Sequence, residues 1–353
     1  MERIRALLDD ALAANLGSAA AVSVGDEGRE VFRYLAGTVR RLPDAGPAID
    51  DNTLFDLASV TKPMSTVAIA MVLVAEGRLD LDAPVRRWLA GAQTAGTVRH
   101  LLGHTAGCAS HVEFFRRLRA ERPAEPRTRL IELAAAERCD PPGVTAVYSD
   151  LGFIQLGALL ERAAEMPLEQ AFGELVAGPL GLATARFAPT PVPGAVATEL
   201  DDRGLVCGLV HDENCYFGGR VAGHAGLFAT LGDVATFAAA MVETAAGSPR
   251  GRFVPEVVKR FFTDAPTAGS TWRLGWDTPS ATPGISQAGD RWPRTGAVGH
   301  TGFTGTSVWL DLARRRWVVL LTNRVHPTRH GTTADAIKAL RRAVHDAVVD
   351  TLA

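Results

Sequence analysis

The two ends of this 353-residue chain carry the patterns of β-hairpins, and the region between them is mainly helical. Near the N-terminus, residues 20–24 and 31–36 are short extended runs joined by a glycine-containing turn. Near the C-terminus, residues 306–310 and 317–322 are rich in β-branched and aromatic residues and flank a charged turn. This order predicts a single sheet built from both termini, with a helical insertion between its halves.

Helical patterns occupy most of the interval between the hairpins. Apolar residues also recur at helical spacing from the N-terminus to Gly17, and Gly/Pro-rich connections separate the later helical stretches. The predicted helices lie at residues 2–16, 64–76, 150–164, 233–244 and 333–352. The long connection 263–298 carries Trp272, Trp276 and Trp292, and we expect it to form an ordered rim of a site because long ordered loops are usually functional.

The composition excludes several classes of protein. With 47% hydrophobic residues, 22% charged residues and a net charge of −2, the chain can bury a large core and has no basic stripe. We therefore expect no nucleic-acid partner and a small neutral or anionic substrate. The absence of C-x-x-C spacing favours reduced, mostly buried thiols over a disulfide scaffold or a zinc ribbon. The cysteines are Cys108, Cys139, Cys207 and Cys215.

Neither a membrane span nor an export signal is expected. The longest apolar run, residues 64–75, ends at Glu76 and Gly77 and is shorter than the about 20 residues that cross a bilayer. The first residues mix charged and apolar types, unlike the uninterrupted apolar stretch of a signal peptide. We expect a cytoplasmic protein.

Ser59 and Lys62 stand three residues apart at the start of the most apolar helix, a spacing that places both side chains on one face. A serine hydroxyl is a weak nucleophile, and a neighbouring amine can activate it by taking its proton. Because lysine is protonated at neutral pH, we expect burial or nearby positive charge to lower the pKa of Lys62. Pro63 is tolerated only in a first turn, so the helix should begin close to Ser59. Such a short motif also arises by chance, so further catalytic or substrate-binding groups are needed to support an active site.

Two other segments contain candidates for such groups. Tyr148 follows a Pro/Gly turn and precedes an apolar helix, where its phenol could relay protons; the alternative is a half-buried tyrosine that only packs there. The segment His300-Thr301-Gly302 precedes the C-terminal hairpin, where Thr301 can donate a hydrogen bond and Gly302 permits close approach of a substrate. A histidine in that position is otherwise a structural hydrogen-bonding residue.

Two other kinds of site are disfavoured. Histidines and acids cluster in residues 211–226, but no zinc-ligand spacing such as H-E-x-x-H occurs, so we expect a glycine-rich turn near the site and no metal. No G-x-S-x-G sequence is present, since Thr105 stands at the centre of residues 103–107, which disfavours an α/β-hydrolase triad. His104 is interpreted as structural.

Three motifs, taken in chain order, resemble those of the class C β-lactamase and DD-peptidase superfamily of serine hydrolases, which includes related esterases. They are FDLASVTK at 55–62, Tyr148-Ser149-Asp150, and His300-Thr301-Gly302. The segment LLGHTAG at 101–107 resembles the L-L-x-H-T-S-G sequence common between the first two motifs. The resemblance runs from about residue 15 to about residue 345.

The resemblance implies an α+β fold of the β-lactamase/transpeptidase type (an α/β sandwich), with an antiparallel sheet flanked by helices. The sheet-containing lobe would comprise residues 1–58 and 291–353, and a mainly helical lobe with active-site loops would comprise 59–290. Ser59 would be the acyl-forming nucleophile, Lys62 its base partner and Tyr148 the proton relay. The substrate-binding and oxyanion-hole residues would be Asp150, His300, Thr301, Gly302 and Phe303, with the backbone N–H groups of Ser59 and Phe303 forming the oxyanion hole.

Two residues depart from the common pattern of that family. Asp150 stands where asparagine is usual, and an ionised carboxylate cannot donate to a substrate carbonyl. Three roles stay open for Asp150: it could orient Lys62, orient Tyr148 or accept a hydrogen bond from a substrate N–H. Its negative charge would also favour the protonated form of Lys62. His300 stands where lysine is usual and is largely neutral at neutral pH, so we expect weaker attraction for a carboxylate and weaker β-lactamase activity.

The predicted activity is two-step acyl transfer on a small amide or ester, with no cofactor and no metal. The substrate would be a small molecule or a short peptide, and D-alanyl peptides, β-lactams and carboxylic esters all stay open. The alternative is a sensor of the same fold that binds penicillin or another ligand without turnover. The oligomeric state stays open.

Overall fold

The computed structural model describes residues 1–353. Its ten strands are β1 (Ala19–Asp26), β2 (Arg29–Gly37), β3 (Phe55–Asp56), β4 (Arg186–Phe187), β5 (Ala197–Asp201), β6 (Gly204–Cys207), β7 (Leu227–Ala229), β8 (Ala297–Thr301), β9 (Ser307–Asp311) and β10 (Arg316–Thr322).

The helices fill the remainder of the framework. They are α1 (Glu2–Ala13), α2 (Ala68–Ala75), α3 (Val98–Leu102), α4 (Phe114–Glu121), α5 (Pro126–Ala136), α6 (Asp150–Ala164), α7 (Leu168–Phe172), α8 (Gly178–Leu180), α9 (Glu213–Phe217), α10 (Leu231–Ala245), α11 (Pro255–Thr263) and α12 (Thr333–Thr351). A 3₁₀ turn at Ala58–Val60 and a π-helical turn at Lys62–Val67 lead into α2.

The main sheet has five antiparallel strands in the order β2-β1-β10-β9-β8. The first and last hairpins therefore meet at the pairing of β1 with β10, where Val22 lies opposite Leu320. This confirms the antiparallel sheet predicted from both termini. The smaller sheets are β3-β7-β4 and β5-β6.

Helices cover both faces of the main sheet, which explains why β1 is apolar on both sides. On one face, Ile4 of α1 and Val344 of α12 join Val22 in a cluster of 18 buried residues. On the other face, α10 packs on β1 and β10 as part of a core of 78 buried residues. Gly25 is required where Trp317 crosses β1, because a Cβ there would lie 2.2 Å from the indole ring.

The most apolar helical stretch runs through the interior. Residues Ala58–Ala75 are long and apolar enough to cross a membrane, but 83% of them are buried within the protein. The 3₁₀ and π-helical turns extend the helix back from residue 64, where its apolar pattern starts, to Ala58, in agreement with the start close to Ser59 predicted from Pro63. Lys62 is therefore carried into the core with no exposed surface.

Candidate active site

Ser59 lies in a tight turn that its neighbours hold in a strained conformation. Ala58 has a φ of +47°, a left-handed value that a residue with a side chain rarely adopts. The Asp56 carboxylate accepts a hydrogen bond from the Ala58 N–H at 2.8 Å, and the Thr306 hydroxyl donates to Leu57 O at 2.8 Å. These bonds hold the strained turn in place, so Ser59 is presented on the wall of a cleft.

The Lys62 side chain is saturated with hydrogen-bond acceptors. Its Nζ lies 3.0 Å from Ser59 Oγ, 2.7 Å from Asp150 Oδ1 and 3.2 Å from His224 O. An ammonium group has three protons to donate and no lone pair, so three acceptors match its charged form. Lys62 therefore donates to Ser59 and has no lone pair with which to remove the serine proton.

The ionisation of Lys62 is controlled by Asp150. Burial acts to lower the pKa of Lys62, but the charge of Asp150 and the hydrogen bond to it raise that pKa above the ordinary value. Burial acts to raise the pKa of Asp150, and the Lys62 charge together with His111 holds it below the ordinary value. The expectation that the site lowers the pKa of Lys62 is therefore wrong, because a carboxylate stands where the family usually has an amide.

Tyr148 lies over the Lys62 ammonium, with 4.8 Å between Nζ and the ring centre. Burial raises the pKa of Tyr148, and the Lys62 charge opposes that rise without cancelling it. The phenol is therefore protonated at neutral pH. His104 and Trp272 pack against its ring, with centroid distances of 4.8 Å and 5.4 Å.

His104 also connects the L-L-x-H-T segment to the second motif. Its Nδ1 accepts the Ser149 N–H at 3.1 Å, and the Ser149 hydroxyl donates to Ala109 O at 2.6 Å. Ser149 in turn caps α6 by accepting the Gly152 N–H at 2.9 Å. His104 therefore has a structural role: it holds the loop that carries Tyr148.

His300 is buried and neutral. Its Nδ1 lies 2.9 Å from Thr301 O, a carbonyl that can only accept, so Nδ1 carries the proton. Burial and the nearby Lys62 charge lower the pKa of His300 to about 3. The residue therefore supplies no positive charge to the third motif, and its Nε2 has no hydrogen-bond partner in the chain.

The loop after β8 lies against the turn that carries the nucleophile. A Cβ at Gly302 would lie 2.6 Å from Leu57 O and 3.3 Å from Ala58 Cβ, so only glycine allows this contact. The next residue, Phe303, has an N–H that donates to no acceptor within the protein. That free donor beside Ser59 matches the requirement for an oxyanion hole.

The cleft has a volume of about 640 Å³ and is lined by both acidic and basic side chains. The acidic residues are Asp150, with His111 Nδ1 3.4 Å from its Oδ2, and also Asp212 and Glu213. The basic residues are Arg324, Arg329, Lys338 and Arg341, and Arg329 pairs with Glu213. Phe303 has half of its surface exposed, and the Arg324 guanidinium stacks on its ring at 4.5 Å.

Two of these arginines have no carboxylate partner. Arg341 is 4% exposed and donates to Gly302 O at 2.8 Å and Thr306 O at 2.7 Å, while its Nε has no acceptor. Arg324 donates to Phe303 O at 2.8 Å. Burial, reinforced by the charge of Arg324, lowers the pKa of Arg341 to about 9. An anion bound beside Arg324 and Arg341 would compensate their positive charge.

The structure brings all the predicted site residues together. Lys62 lies beneath the cleft, and the residues that line it include Ser59, Tyr148, Asp150, His300, Thr301, Gly302 and Phe303. Sequence reasoning missed His111, Arg324 and Arg341, because none of them forms part of a recognisable short motif. It also gave no role to Asp56, although Asp56 lies within the motif at 55–62. Of the long 263–298 segment, Trp272 lines the cleft, whereas Trp276 and Trp292 are buried in the two cores, so the expected rim is wrong for those two residues.

Residues 4–342 match the family model described as Beta-lactamase. The chain belongs to the β-lactamase family. It is 28% identical over 307 residues to a protein of Escherichia coli K12 named "Putative D-alanyl-D-alanine carboxypeptidase", with 78% of this chain and 70% of that protein covered. The family model matches nearly the whole chain, and it identifies a hydrolase of the β-lactamase type.

Solved structures show the same fold at lower sequence identity. The hydrolase EstCE1, described as having promiscuous acyltransferase activity, superimposes with a TM-score of 0.71 at 24% identity and 98% coverage of both chains. The octameric penicillin-binding protein homologue of Pyrococcus abyssi gives a TM-score of 0.72 at 19% identity, covering 96% of this chain and 76% of the other. Both likenesses support the predicted β-lactamase/transpeptidase fold.

Proposed function

We propose that this β-lactamase-family hydrolase forms an acyl-enzyme at Ser59 and acts as a carboxypeptidase on short peptides with a free C-terminal carboxylate. The observation that carries the substrate class is the pair of uncompensated arginines, Arg324 and Arg341, beside the free Phe303 N–H. A carboxylate next to the scissile bond would lie within reach of these charges. The name of the Escherichia coli relative, a D-alanyl-D-alanine carboxypeptidase, agrees with this substrate class.

In the proposed acylation, Ser59 Oγ attacks the substrate carbonyl while the Phe303 and Ser59 N–H groups bind the developing oxyanion. Lys62 stays an ammonium and stabilises the negative charge that develops on Ser59 during the attack. In one concerted transfer, Tyr148 gives its proton to the leaving amine and takes the Ser59 proton in its place, so the phenol is neutral before and after the step. In the second step, water attacks the ester carbonyl and its proton returns through Tyr148 to Ser59 as the acid product leaves.

Changing Arg324 to glutamine tests the carboxylate site. We expect kcat/KM for a D-Ala-D-Ala peptide to fall by about 10–100-fold, the usual effect of losing a charge-assisted hydrogen bond. Hydrolysis of a neutral nitrophenyl ester should stay within about twofold, because that substrate has no carboxylate. Both activities are measured on the same preparations.

Arg329→Gln is the matched control for this test. Arg329 lines the same cleft but already pairs with Glu199 and Glu213, so its charge is compensated. Its loss should therefore change hydrolysis of the peptide and of the ester by similar factors. Equal losses on peptide and ester in Arg324→Gln would reject a carboxylate-binding role. Turnover of the ester alone by the wild-type protein would favour an esterase.

Changing Asp150 to asparagine tests the proposed role of Lys62. Without the carboxylate, the largest influence that opposes burial is lost and the pKa of Lys62 falls. If the ammonium is the active form, activity is present below that pKa and lost above it, so the alkaline limb of the kcat/KM profile should move to lower pH. An Asp150→Asn variant that instead gains activity as Lys62 loses its proton would show that Lys62 is the base.

A further inference from the structure

Cys108 and Cys139 are separated by 31 positions in the chain and meet in the structure. Their sulfur atoms lie 3.6 Å apart, which is van der Waals contact between two thiols. Both cysteines are free in this structure. Cys207 and Cys215 have no such thiol neighbour, because their sulfurs contact the carbonyl oxygens of Ala195 and Ala225.

The backbone beside this pair already has the spacing of two adjacent strands. The Asp140 N–H donates to Gly107 O at 2.9 Å, and the Gly143 N–H donates to Thr105 O at 2.8 Å. Chains held by such bonds lie about 5 Å apart, and a disulfide spans Cα separations of about 4.4–6.8 Å. Closing the sulfurs to about 2.05 Å therefore requires small side-chain and backbone shifts rather than a rearrangement.

The two thiols differ in access. Cys108 is buried, where its Sγ also lies 3.6 Å from Gln155 Nε2, whereas Cys139 is half-buried at the surface. Hydrogen bonding between the two thiols lowers the pKa of Cys139, while the same interaction and burial raise that of Cys108. An oxidant therefore reaches Cys139 first, and Cys108 is placed to complete the reaction.

We propose that Cys108 and Cys139 form a site of reversible oxidation, at which a small-molecule disulfide such as oxidised glutathione converts the two thiols into a disulfide. The Cys139 thiolate attacks the reagent, forming a mixed disulfide and releasing one thiolate. Cys108 loses its proton and attacks the Cys139 sulfur, expelling the second thiolate. The two cysteines are oxidised by two electrons, and the reagent is reduced to two thiols.

A disulfide between Cys108 and Cys139 would lie next to a segment of the active site. Immediately after Cys108, Ala109 O accepts the Ser149 hydroxyl at 2.6 Å and Ser110 O accepts the Asp150 N–H at 2.9 Å. A bridge at Cys108 would anchor the segment that holds the second motif and would close the loop containing α4 and α5. We expect oxidation to stabilise this region against heat.

The test is oxidation of the reduced full-length protein with glutathione disulfide, followed by alkylation under denaturing conditions and tryptic peptide mapping. The expected product joins peptide 100–116 to peptide 139–162, with a protein mass lower by about 2 Da. Closing a loop of about 30 residues should also raise Tm by about 5 °C, and a thiol reductant should reverse both changes.

Variants separate this result from general oxidation. Cys207→Ser removes a thiol that is also half-buried and should leave the cross-link and the Tm rise intact. Cys139→Ser should abolish both. A glutathione adduct that persists on Cys139, or recovery of Cys108 and Cys139 as separately alkylated residues, would overturn the proposal.

Discussion

Replacing Ser59 with alanine is expected to abolish hydrolysis, with a loss of kcat of about 10⁴-fold or more, because no other group can form the acyl-enzyme. The Ser59 hydroxyl accepts one hydrogen bond from Lys62, so its removal leaves the fold in place. The measurements are turnover of a D-Ala-D-Ala peptide and a nitrophenyl ester, with mass spectrometry after exposure to a fluorophosphonate. The wild-type protein should gain one adduct on Ser59, and the variant should gain none.

Ser65→Ala is a suitable control for this variant. Ser65 is buried in the same helical stretch, and its hydroxyl has no hydrogen-bond partner, so neither activity nor adduct formation should change. An adduct on a residue other than Ser59, or undiminished turnover by Ser59→Ala, would contradict the proposed nucleophile.

Replacing Lys62 with methionine is expected to damage both activity and stability. The buried ammonium that faces Ser59 is lost, and we expect kcat to fall by about 10³-fold or more. Asp150 is left enclosed without its main counter-ion, which should destabilise the fold by about 2–4 kcal/mol. Chemical denaturation and ester hydrolysis measure the two effects separately.

The double variant Lys62→Met/Asp150→Asn distinguishes the two effects. Removing both charges leaves no uncompensated carboxylate, so most of the lost stability should return. Activity should stay low, because the ammonium is still absent. If activity returned together with stability, the effect of Lys62→Met would be one of folding, and Lys62 would have no direct part in the reaction.

Much of the architecture follows from local sequence patterns. The hairpins are readable because alternating and β-branched residues flank short turns, and helix α6 begins at Asp150 because Ser149 supplies an N-cap. The turn at Ala58 and the π-helical turn at Lys62–Val67 could not be predicted. Both depend on tertiary contacts, such as the hydrogen bond from Thr306 to Leu57 O.

Only some residues of the candidate site could be predicted from local sequence patterns. Ser59, Lys62, Tyr148 and His300 belong to short motifs whose spacing or order is visible in the chain, and these motifs determined the nucleophile and the proton-transfer groups to be expected. Arg324 and Arg341 carry no motif, because their significance comes from forming no ion pair with a carboxylate once the chain is folded. The lobe boundaries at residues 58 and 291 stay a prediction.

By itself, the sequence determined the family and the sheet of both termini, and it predicted which groups react, because these depend on residue types at fixed spacings. The tertiary structure alone decided the charge states of those groups. Asp150 lies 2.7 Å from Lys62 although 88 positions separate them, and that distance keeps the lysine charged. Electrostatic energies depend on distance and burial, and both exist only in the folded chain.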